Sequence, residues 1–312
     1  MSLGIDNKLK QIITDLELIK KALKIVPDKE STITDFQSSI SEYEKFAQED
    51  LKLEQITINN HKSAINGFLN HSHGIINEQT VKAYLDSNES VSWKSNQVKA
   101  LRKYIRDYLK LGNWINQFTF AKTKTKLKKE TPSNEQLAQF CLLLPYQIQM
   151  VFLVMLPSGL RIGEVLSLKL SNFDPDTNMM DASDIHKGDT KSSWISFITK
   201  QASEYLTGYL EQEIDYESED DPKMFSVSAR SVQQAFKKAS EHMGISINPH
   251  LLRTVFAERC REAKIDDDYI NAFCGRTPQG MLASNYTDYS PNALRKQYDN
   301  LEPFLTLPFS ES

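Results

Sequence analysis

The sequence has few cysteines and no long apolar run, and each shortage excludes a class of protein. Three cysteines occur in 312 residues, widely separated and without a CxxC pair. Scattered cysteines in odd number predict neither a disulfide framework nor a zinc site, so we interpret Cys141, Cys260 and Cys274 as reduced core thiols. No stretch reaches the ~20 consecutive apolar residues that a membrane-spanning helix needs.

The first residues also lack the order of a signal peptide, because Met1 to Lys10 contain no basic segment followed by an apolar one. We therefore predict a soluble intracellular protein, in the cytoplasm or at the nucleoid, with no membrane partner. The length allows two or three domains of ~100–150 residues each. The hydrophobic content of 40% is ordinary for a globular chain.

The chain has little net charge, −4 at neutral pH, which does not by itself indicate a nucleic-acid partner. The charges are nevertheless segregated, since five lysines lie between residues 122 and 129 and seven acidic residues lie between 211 and 221. The lysines are Lys122, Lys124, Lys126, Lys128 and Lys129. The low average therefore conceals one strongly basic and one strongly acidic segment.

Hydrophobic periodicity divides the chain into three blocks and a linker. In residues 1–27, apolar residues recur at alternating spacings of four and three and end at Pro27. This heptad pattern predicts an oligomerisation helix, and it fits equally an amphipathic helix that caps its own domain. Residues 31–116 contain four short helical segments and predict a small bundle. Residues 117–132 are lysine-rich, lack apolar periodicity and are interpreted as a linker.

Residues 133–312 form the third block, which is predicted to be helical apart from one β-hairpin. Ser133 is expected to cap its first helix, and further helices are predicted at Lys200–Gln212 and Ser228–Met243. The segment "SSWISFIT", preceded by "NMMDASDIHKGDTK", is typical of a hairpin with a turn at Gly188-Asp189, and strand signals occur in this block only. The sequence thus predicts a mainly α fold, with a helical bundle and an α-rich domain that contains a small β-hairpin.

The first candidate for chemistry is an arginine in "LPSGLRIGEVLSLKL". On a helix after the Ser-Gly turn, Arg161 would share a half-buried stripe with Val165 and Leu168, with Glu164 one turn away. Arg161 and Glu164 fit a structural ion pair at i,i+3. Because a partly buried arginine is costly without a partner, an anion-binding role fits as well.

The second candidate is a histidine and an arginine in "SINPHLLRTVFAER". Asn248 can cap a helix, Pro249 suits its first turn, and His250 and Arg253 then share one face. A helix N-terminus that presents both side chains outlines a phosphate site. Taken alone, the motif fits a solvated helix face better.

The ordered set of segments is more specific than any one of them. The order is "SGLRIGEVLSL", a lysine-bearing hairpin, "HLLR", and a Gly-Arg turn followed by a tyrosine in "GRTPQGMLASNYTDYS". This series resembles the tyrosine recombinase (integrase) family over about Thr131 to Tyr298, and residues 31–116 are similar in type and length to the family's core-binding domain. The tail is most similar to those of integrases from archaeal viruses and plasmids. The resemblance implies a site-specific recombinase that cuts and rejoins DNA through a 3′-phosphotyrosine intermediate.

The resemblance also assigns catalytic roles. It implies that Arg161 and Arg253 bind the non-bridging phosphate oxygens, that His250 completes the site, and that Tyr286 is the nucleophile. Glu164 is the acidic residue that the family places one turn after its first arginine, and it would support the site. Because the phosphotyrosine conserves the energy of the broken bond, no cofactor or metal is implied.

One position departs from the family, and the general acid and the second tyrosine need a choice between residues. Arg276 stands where most members have histidine, which keeps a donor to phosphate without the usual proton-transfer group. The family's general acid is a hairpin lysine, for which Lys191 is preferred here and Lys187 is the alternative. Tyr289 is interpreted as a packing residue, because it immediately precedes Ser290-Pro291, which we interpret as a helix stop.

The implied partner is double-stranded DNA, bound by a homo-oligomer that forms a tetramer on paired sites. Lys99, Lys103 and Arg106 are close in helical angle and would give the first domain a basic face, although they fit a solvated helix face too. The linker would contact phosphates through Lys122, Lys124, Lys126 and Lys128. Two other functions stay open: a type IB-like topoisomerase with the same nucleophile, and a DNA-binding module without catalysis.

Overall fold

The computed structural model of the chain describes residues 31–120, 131–185, 194–213, 221–276 and 287–309. Contacts divide the chain into two compact units, Met1–Leu127 and Lys128–Ser312. Most of the described residues are helical, so the predicted mainly α fold is confirmed. The predicted heptad helix of residues 1–27 lies outside the described residues.

The first unit is a helical bundle. Its α-helices are α1 (Phe36–Glu49), α2 (Gln55–Ser72), α3 (Glu78–Asp86) and α4 (Val91–Leu101). Local sequence sets where they begin: the side chains of Asp35, Asn77 and Ser90 each accept a backbone N–H of the first turn of α1, α3 and α4, respectively. Tyr43 and Tyr104 are fully buried in the core between them.

Two features of the first unit differ from the prediction. After α4 the chain continues as a π-helix, Arg102–Tyr108, and then as a 3₁₀ turn, Trp114–Gln117. In addition, strands β1 (Ser31–Thr32) and β2 (Ile75–Ile76) pair antiparallel. The prediction of strands in the third block only is therefore wrong, because two-residue strands carry no periodicity in the sequence.

The second unit contains the longer series of helices. They are α5 (Asn134–Leu142), α6 (Tyr146–Ser158), α7 (Ile162–Val165), α8 (Lys200–Glu213), α9 (Ala229–Met243), α10 (Pro249–Glu262), α11 (Asp267–Phe273) and α12 (Pro291–Leu305). The predicted cap at Ser133 and the two predicted helices that became α8 and α9 are confirmed. Helix α6 is buried continuously from Met150 to Ser158 and packs against α8 and α10. Within the described ranges, no helix is long and apolar enough to cross a membrane.

The predicted hairpin is part of a small sheet. Strands β3 (Phe173–Asp174), β4 (Met179–Asp181) and β5 (Ile195–Phe197) pair antiparallel in that order, with Met180 opposite Ser196. The hairpin of β4 and β5 is confirmed, and β3 adds a third strand that the sequence did not predict. The predicted turn at Gly188-Asp189 lies outside the described residues.

The last helix begins where a helix stop was predicted. The Ser290 side chain accepts the backbone N–H of Ala293, and Pro291 occupies the first turn of α12. The predicted stop at Ser290-Pro291 is therefore wrong, because proline is tolerated in the first turn of a helix, where its missing N–H costs no hydrogen bond. Tyr298 of α12 is fully buried and donates its hydroxyl to the Pro157 carbonyl at 3.0 Å. This contact fixes α12 against the end of α6.

Candidate active site

Arg161 lies at the N-cap of α7 and not on the face of a long helix. Helix α6 ends at Ser158, its C-cap Gly159 adopts a left-handed conformation (φ 65°), and α7 is a single turn. The predicted stripe of Arg161, Val165 and Leu168 is therefore wrong, because Arg161 precedes the helix and Leu168 lies beyond it. The predicted ion pair is present, since Arg161 Nη1 lies 2.6 Å from Glu164 Oε1.

Glu164 joins two arginines that are far apart in the sequence. It is buried, with 5% of its surface exposed. Its Oε2 accepts the backbone N–H of Arg161 at 2.6 Å and lies 4.0 Å from Nη1 of Arg253. A buried carboxylate is costly unless cations and donors surround it. Glu164 therefore both requires the two guanidinium groups and restricts where they can lie.

Arg253 lies on α10, which begins as the sequence predicts. The Asn248 side chain caps the helix and Pro249 occupies its first turn. The Arg253 side chain is buried, with 7% of the residue exposed. Its Nη1 donates to the Gly159 carbonyl at 2.8 Å, and its Nη2 donates to the Cys274 carbonyl. Arg253 thus connects the end of α6 to the end of α11.

Gly159 is required for this connection. A Cβ atom at this position would lie 2.5 Å from Cδ1 of Phe256 on α10, and its φ of 65° is one that other residues rarely adopt. Glycine therefore lets α10 approach the end of α6 closely enough for Arg253 to reach the Gly159 carbonyl.

Arg276 follows α11 through the predicted Gly-Arg turn. Gly275 has a φ of 52°, which turns the chain out of the helix. In contrast to Arg253, Arg276 is exposed, and its Nη1 donates to Oδ1 of Asn271 at 3.1 Å. The turn thus presents a solvent-accessible guanidinium beside the buried one.

A cleft of about 180 Å³ lies between α10 and α11 with the turn that follows α11. His250, Arg253 and Arg276 line it together with Asn271. His250 is exposed in the first turn of α10, where the helix N-terminus favours an anion. The predicted His250 and Arg253 pair therefore does not form a solvated helix face, since Arg253 is buried and both residues line one cleft.

The charges around Arg253 also place Arg161 in this group. Burial lowers the pKa of Arg253, and the charges of Arg161 and Arg276 lower it further, whereas the charge of Glu164 raises it. Guanidinium groups stay protonated in proteins despite such effects. Three guanidinium groups thus lie in one region, where Glu164 is the one buried carboxylate among the residues that the structure describes. This surplus of positive charge suits the binding of a phosphate group.

The hairpin is attached beside Arg161. Ser196 of β5 is buried and donates its hydroxyl to the Ser158 carbonyl at 2.6 Å. Ser158 ends α6, just before the turn to Arg161. The candidate general acids Lys187 and Lys191 lie outside the described residues.

Of the two tyrosines near the C-terminus, Tyr289 lies within the described residues and Tyr286 lies outside them. The Tyr289 ring packs edge-on against Tyr269 of α11, with centroids 6.1 Å apart. Burial raises the pKa of Tyr289, which disfavours the phenolate that a nucleophile needs. These contacts agree with a packing role for Tyr289.

The three basic residues predicted to face DNA in the first unit differ in their surroundings. Lys99 is exposed at the end of α4. Lys103 lies 3.2 Å from Asp107, and Arg106 lies 2.6 Å from the same carboxylate while donating to Asn116 Oδ1 at 3.0 Å. The π-helix alters the angular spacing that the prediction assumed. The linker lysines Lys122, Lys124, Lys126 and Lys128 lie outside the described residues.

Sequence reasoning missed two polar residues that the fold brings to these sites. Asn271 contacts Arg276, and Asp107 is shared by Lys103 and Arg106. Asp107 has a local signal, since it lies four residues after Lys103. Asn271 has none. Among the described residues, no three His, Cys, Asp or Glu side chains form a group that could hold a metal ion.

The sequence matches a known protein family and two curated proteins. The model of the phage integrase family matches residues 127–293. Tyrosine recombinase XerA of Saccharolobus solfataricus is 27% identical over 109 residues, which is 35% of each protein. Tyrosine recombinase XerC of Chlamydia pneumoniae is 25% identical over 155 residues, 47% of this chain and 48% of that protein. The chain thus spans between about a third and about a half of the length of these relatives.

The fold also matches solved structures. A lambda integrase dimer bound to a COC′ core site is similar with a TM-score of 0.64 at 18% sequence identity, over 90% of this chain and 85% of that one. At this identity the comparison establishes a common fold.

Proposed function

The chain belongs to the phage integrase family, and from this premise we propose that it is a site-specific DNA recombinase. It would cut and rejoin DNA strands through a 3′-phosphotyrosine intermediate and would act as an intracellular protein. One observation supports this most: Arg253, Arg276 and His250 line a single cleft, and Glu164 joins Arg161 to Arg253. Phosphoryl transfer depends mainly on such positioning and on neutralising charge on the phosphate oxygens.

The contacts of Arg253 leave it able to bind phosphate. A guanidinium has five N–H donors, and the carbonyls of Gly159 and Cys274 each accept one from Arg253. We infer that the remaining N–H groups bind the non-bridging oxygens, in the orientation that the two carbonyls fix. Arg161 and Arg276 would supply further donors. The same positive charges would favour the phenolate of an attacking tyrosine, whose ordinary pKa is ~10.

The position of Tyr289 supports Tyr286 as the nucleophile. Tyr289 packs on Tyr269 of α11, and α11 also supplies Asn271 to the cleft. Burial raises the pKa of the Tyr289 hydroxyl, which disfavours its phenolate. Of the two tyrosines in this part of the sequence, we therefore propose Tyr286 as the nucleophile.

The proposed function is tested by trapping the covalent intermediate. In a nicked DNA substrate, cleavage releases the short fragment that carries the new 5′ hydroxyl. Without this hydroxyl the strand cannot be rejoined, so the protein should stay linked to the 3′-phosphate. We expect a DNA-linked species that survives denaturation and is sensitive to protease. If no DNA carrying the protein's recombination site yields this species, the chain binds DNA without cutting it and the proposal is wrong.

Strand exchange then distinguishes a recombinase from a topoisomerase. With two copies of the recombination site on one supercoiled plasmid, we expect inversion or excision of the intervening DNA. Relaxation of any supercoiled plasmid with no exchange between the sites would instead identify a topoisomerase.

We further propose that four copies act together on two paired DNA sites. Exchange between two duplexes requires four strand cuts, and each chain would supply one nucleophile. The heptad pattern of residues 1–27 offers an oligomerisation helix. Light scattering of the protein on its site should give four protein copies per pair of duplexes, and a single copy per duplex would contradict the assembly.

Lys191 is expected to be the general acid that protonates the departing 5′ oxygen. Lys191→Ala should lower the cleavage rate about 100-fold, in the range that general acids contribute. A DNA substrate with sulfur in place of that bridging oxygen should restore the rate, because a thiol of pKa ~8.5 leaves without a proton. Single-turnover cleavage of both substrates measures the effect.

Lys187→Ala is the matched control and should cleave both substrates normally. If Lys187→Ala shows the defect and the sulfur rescue, and Lys191→Ala does not, the roles of the two lysines are reversed.

The DNA-binding contribution of the first unit should come from Lys99 more than from Lys103. Lys99→Ala should reduce the slope of log K against log salt by about 0.9, as expected for one lost phosphate contact. Lys103→Ala should reduce it by less than half as much, because Asp107 already neutralises Lys103. Fluorescence anisotropy with duplex DNA between about 50 and 200 mM salt measures both slopes. Equal reductions for the two variants would contradict this distinction.

A further inference from the structure

Of the three guanidinium groups that the described residues bring to the proposed site, that of Arg276 is the exposed one. Arg253 is enclosed and bonded to two carbonyls, and Arg161 is paired with Glu164. Arg276 is exposed at the end of a turn. An exposed arginine has many rotamers, so a donor that must point at one phosphate needs a local acceptor to select among them.

Asn271 provides that acceptor. Its Oδ1 accepts from Arg276 Nη1 at 3.1 Å, and its backbone carbonyl accepts from the Arg276 N–H at 2.9 Å. Asn271 is partly buried on α11 and lines the same cleft as Arg276, Arg253 and His250. One residue thus fixes both the backbone and the side chain of Arg276 at the cleft.

The chemical type of this acceptor also fits a phosphate site. Asp267 lines the cleft too, but it lies 3.5 Å from Arg261. An amide orients a guanidinium without cancelling its charge, whereas a carboxylate would compete with phosphate for it. Asn271 therefore leaves the full positive charge of Arg276 available to a bound anion.

We propose that Asn271 is a positioning residue that holds Arg276 toward the scissile phosphate. This inference rests on the proposed function of the cleft. Asn271 acts through Arg276 and does not touch the reacting atoms. Its loss should therefore matter only while Arg276 is present.

A double-mutant cycle tests this dependence on the full-length protein. Single-turnover cleavage of the nicked substrate is measured for the wild type, Asn271→Ala, Arg276→Ala and the double variant. Asn271→Ala should cleave about threefold to tenfold more slowly, as expected for one lost hydrogen bond. The double variant should cleave at the rate of Arg276→Ala alone. Asn300→Ala, on the exposed face of α12, is the control and should cleave normally.

Two further measurements separate the possible outcomes. Asn271→Asp keeps the acceptor and adds a negative charge, so it should hold Arg276 in place and yet cleave more slowly than the wild type. The NMR order parameter of Arg276 Nε in the free protein should fall in Asn271→Ala, and this readout does not depend on cleavage.

A defect of Asn271→Ala that persists in the Arg276→Ala background would show a structural role and overturn the inference. An unchanged order parameter would also overturn it. If the wild type itself forms no adduct while the order parameter still falls, the proposed function fails and the contact between Asn271 and Arg276 stands.

Discussion

Arg253→Ala is expected to lower the rate of strand cleavage about 1000-fold. In other enzymes, removing one preorganised donor to a developing oxyanion lowers the catalytic rate constant by up to about 10³. Arg253 is the most enclosed of the cationic groups in the cleft, and carbonyls from two segments fix its orientation. Because it does not have to be ordered when DNA binds, its interaction with the phosphate is available in full at the transition state. Single-turnover cleavage at saturating protein measures the rate.

The same substitution should also destabilise the second unit, so a control is needed. Without the guanidinium, the carbonyls of Gly159 and Cys274 lose a donor, at a cost of about 1–3 kcal/mol each if water does not replace it. Arg259 lies on the same helix, is partly buried and donates to the Pro132 carbonyl outside the cleft. Arg259→Ala should lower the urea midpoint of unfolding and leave cleavage by the folded protein unchanged. Equal cleavage rates for the two variants, compared per folded molecule, would contradict a catalytic role for Arg253.

Tyr286→Phe is expected to abolish the covalent adduct completely. Phenylalanine has no hydroxyl to attack the phosphate, and the substitution leaves the phosphate-binding residues in place. The variant should therefore still bind the recombination site with unchanged affinity. The nicked substrate measures adduct formation, and a gel-shift titration measures binding.

Tyr289→Phe is the matched control three residues away. Its ring packs on Tyr269, and burial raises the pKa of its hydroxyl. Phenylalanine keeps the ring and its packing, so adduct formation should be normal. If Tyr286→Phe forms the adduct and Tyr289→Phe does not, Tyr289 is the nucleophile.

Local sequence signals predicted those parts of the site that local interactions form. Helix α10 begins at Pro249 because Asn248 caps it, and both signals are adjacent in the sequence to His250 and Arg253. The cap at Ser133 and the hairpin of β4 and β5 were predicted for the same reason. Short-range hydrogen bonds and side-chain alternation determine these features.

The position of Arg161 could not be predicted in this way. The sequence predicted the Ser-Gly turn, but it placed Arg161 on the face of a longer helix, whereas α7 is a single turn with Arg161 at its N-cap. The packing of Phe256 of α10 against Gly159, which the sequence does not reveal, brings α10 to this turn. The ion pair with Glu164 was predicted because it spans three residues, whereas the approach of Glu164 to Arg253 depends on the packing of α10.

The sequence also could not predict which basic side chains of the first unit are free to bind DNA. The sequence places Lys99, Lys103 and Arg106 close in helical angle, on the assumption of a regular α-helix. The chain instead forms a π-helix from Arg102, and Asp107 pairs with both Lys103 and Arg106. Composition alone does not distinguish a cation that is free to bind DNA from one that a neighbouring carboxylate neutralises.

Mass spectrometry of the trapped adduct identifies the nucleophile. After the nicked substrate has reacted, nuclease and trypsin digestion leaves a peptide that carries the remaining nucleotide, and fragmentation identifies the modified residue. We expect a single modified residue, Tyr286, joined through its phenolic oxygen to a 3′-phosphate. A nucleotide on Tyr289, on a serine or on any other residue would contradict it.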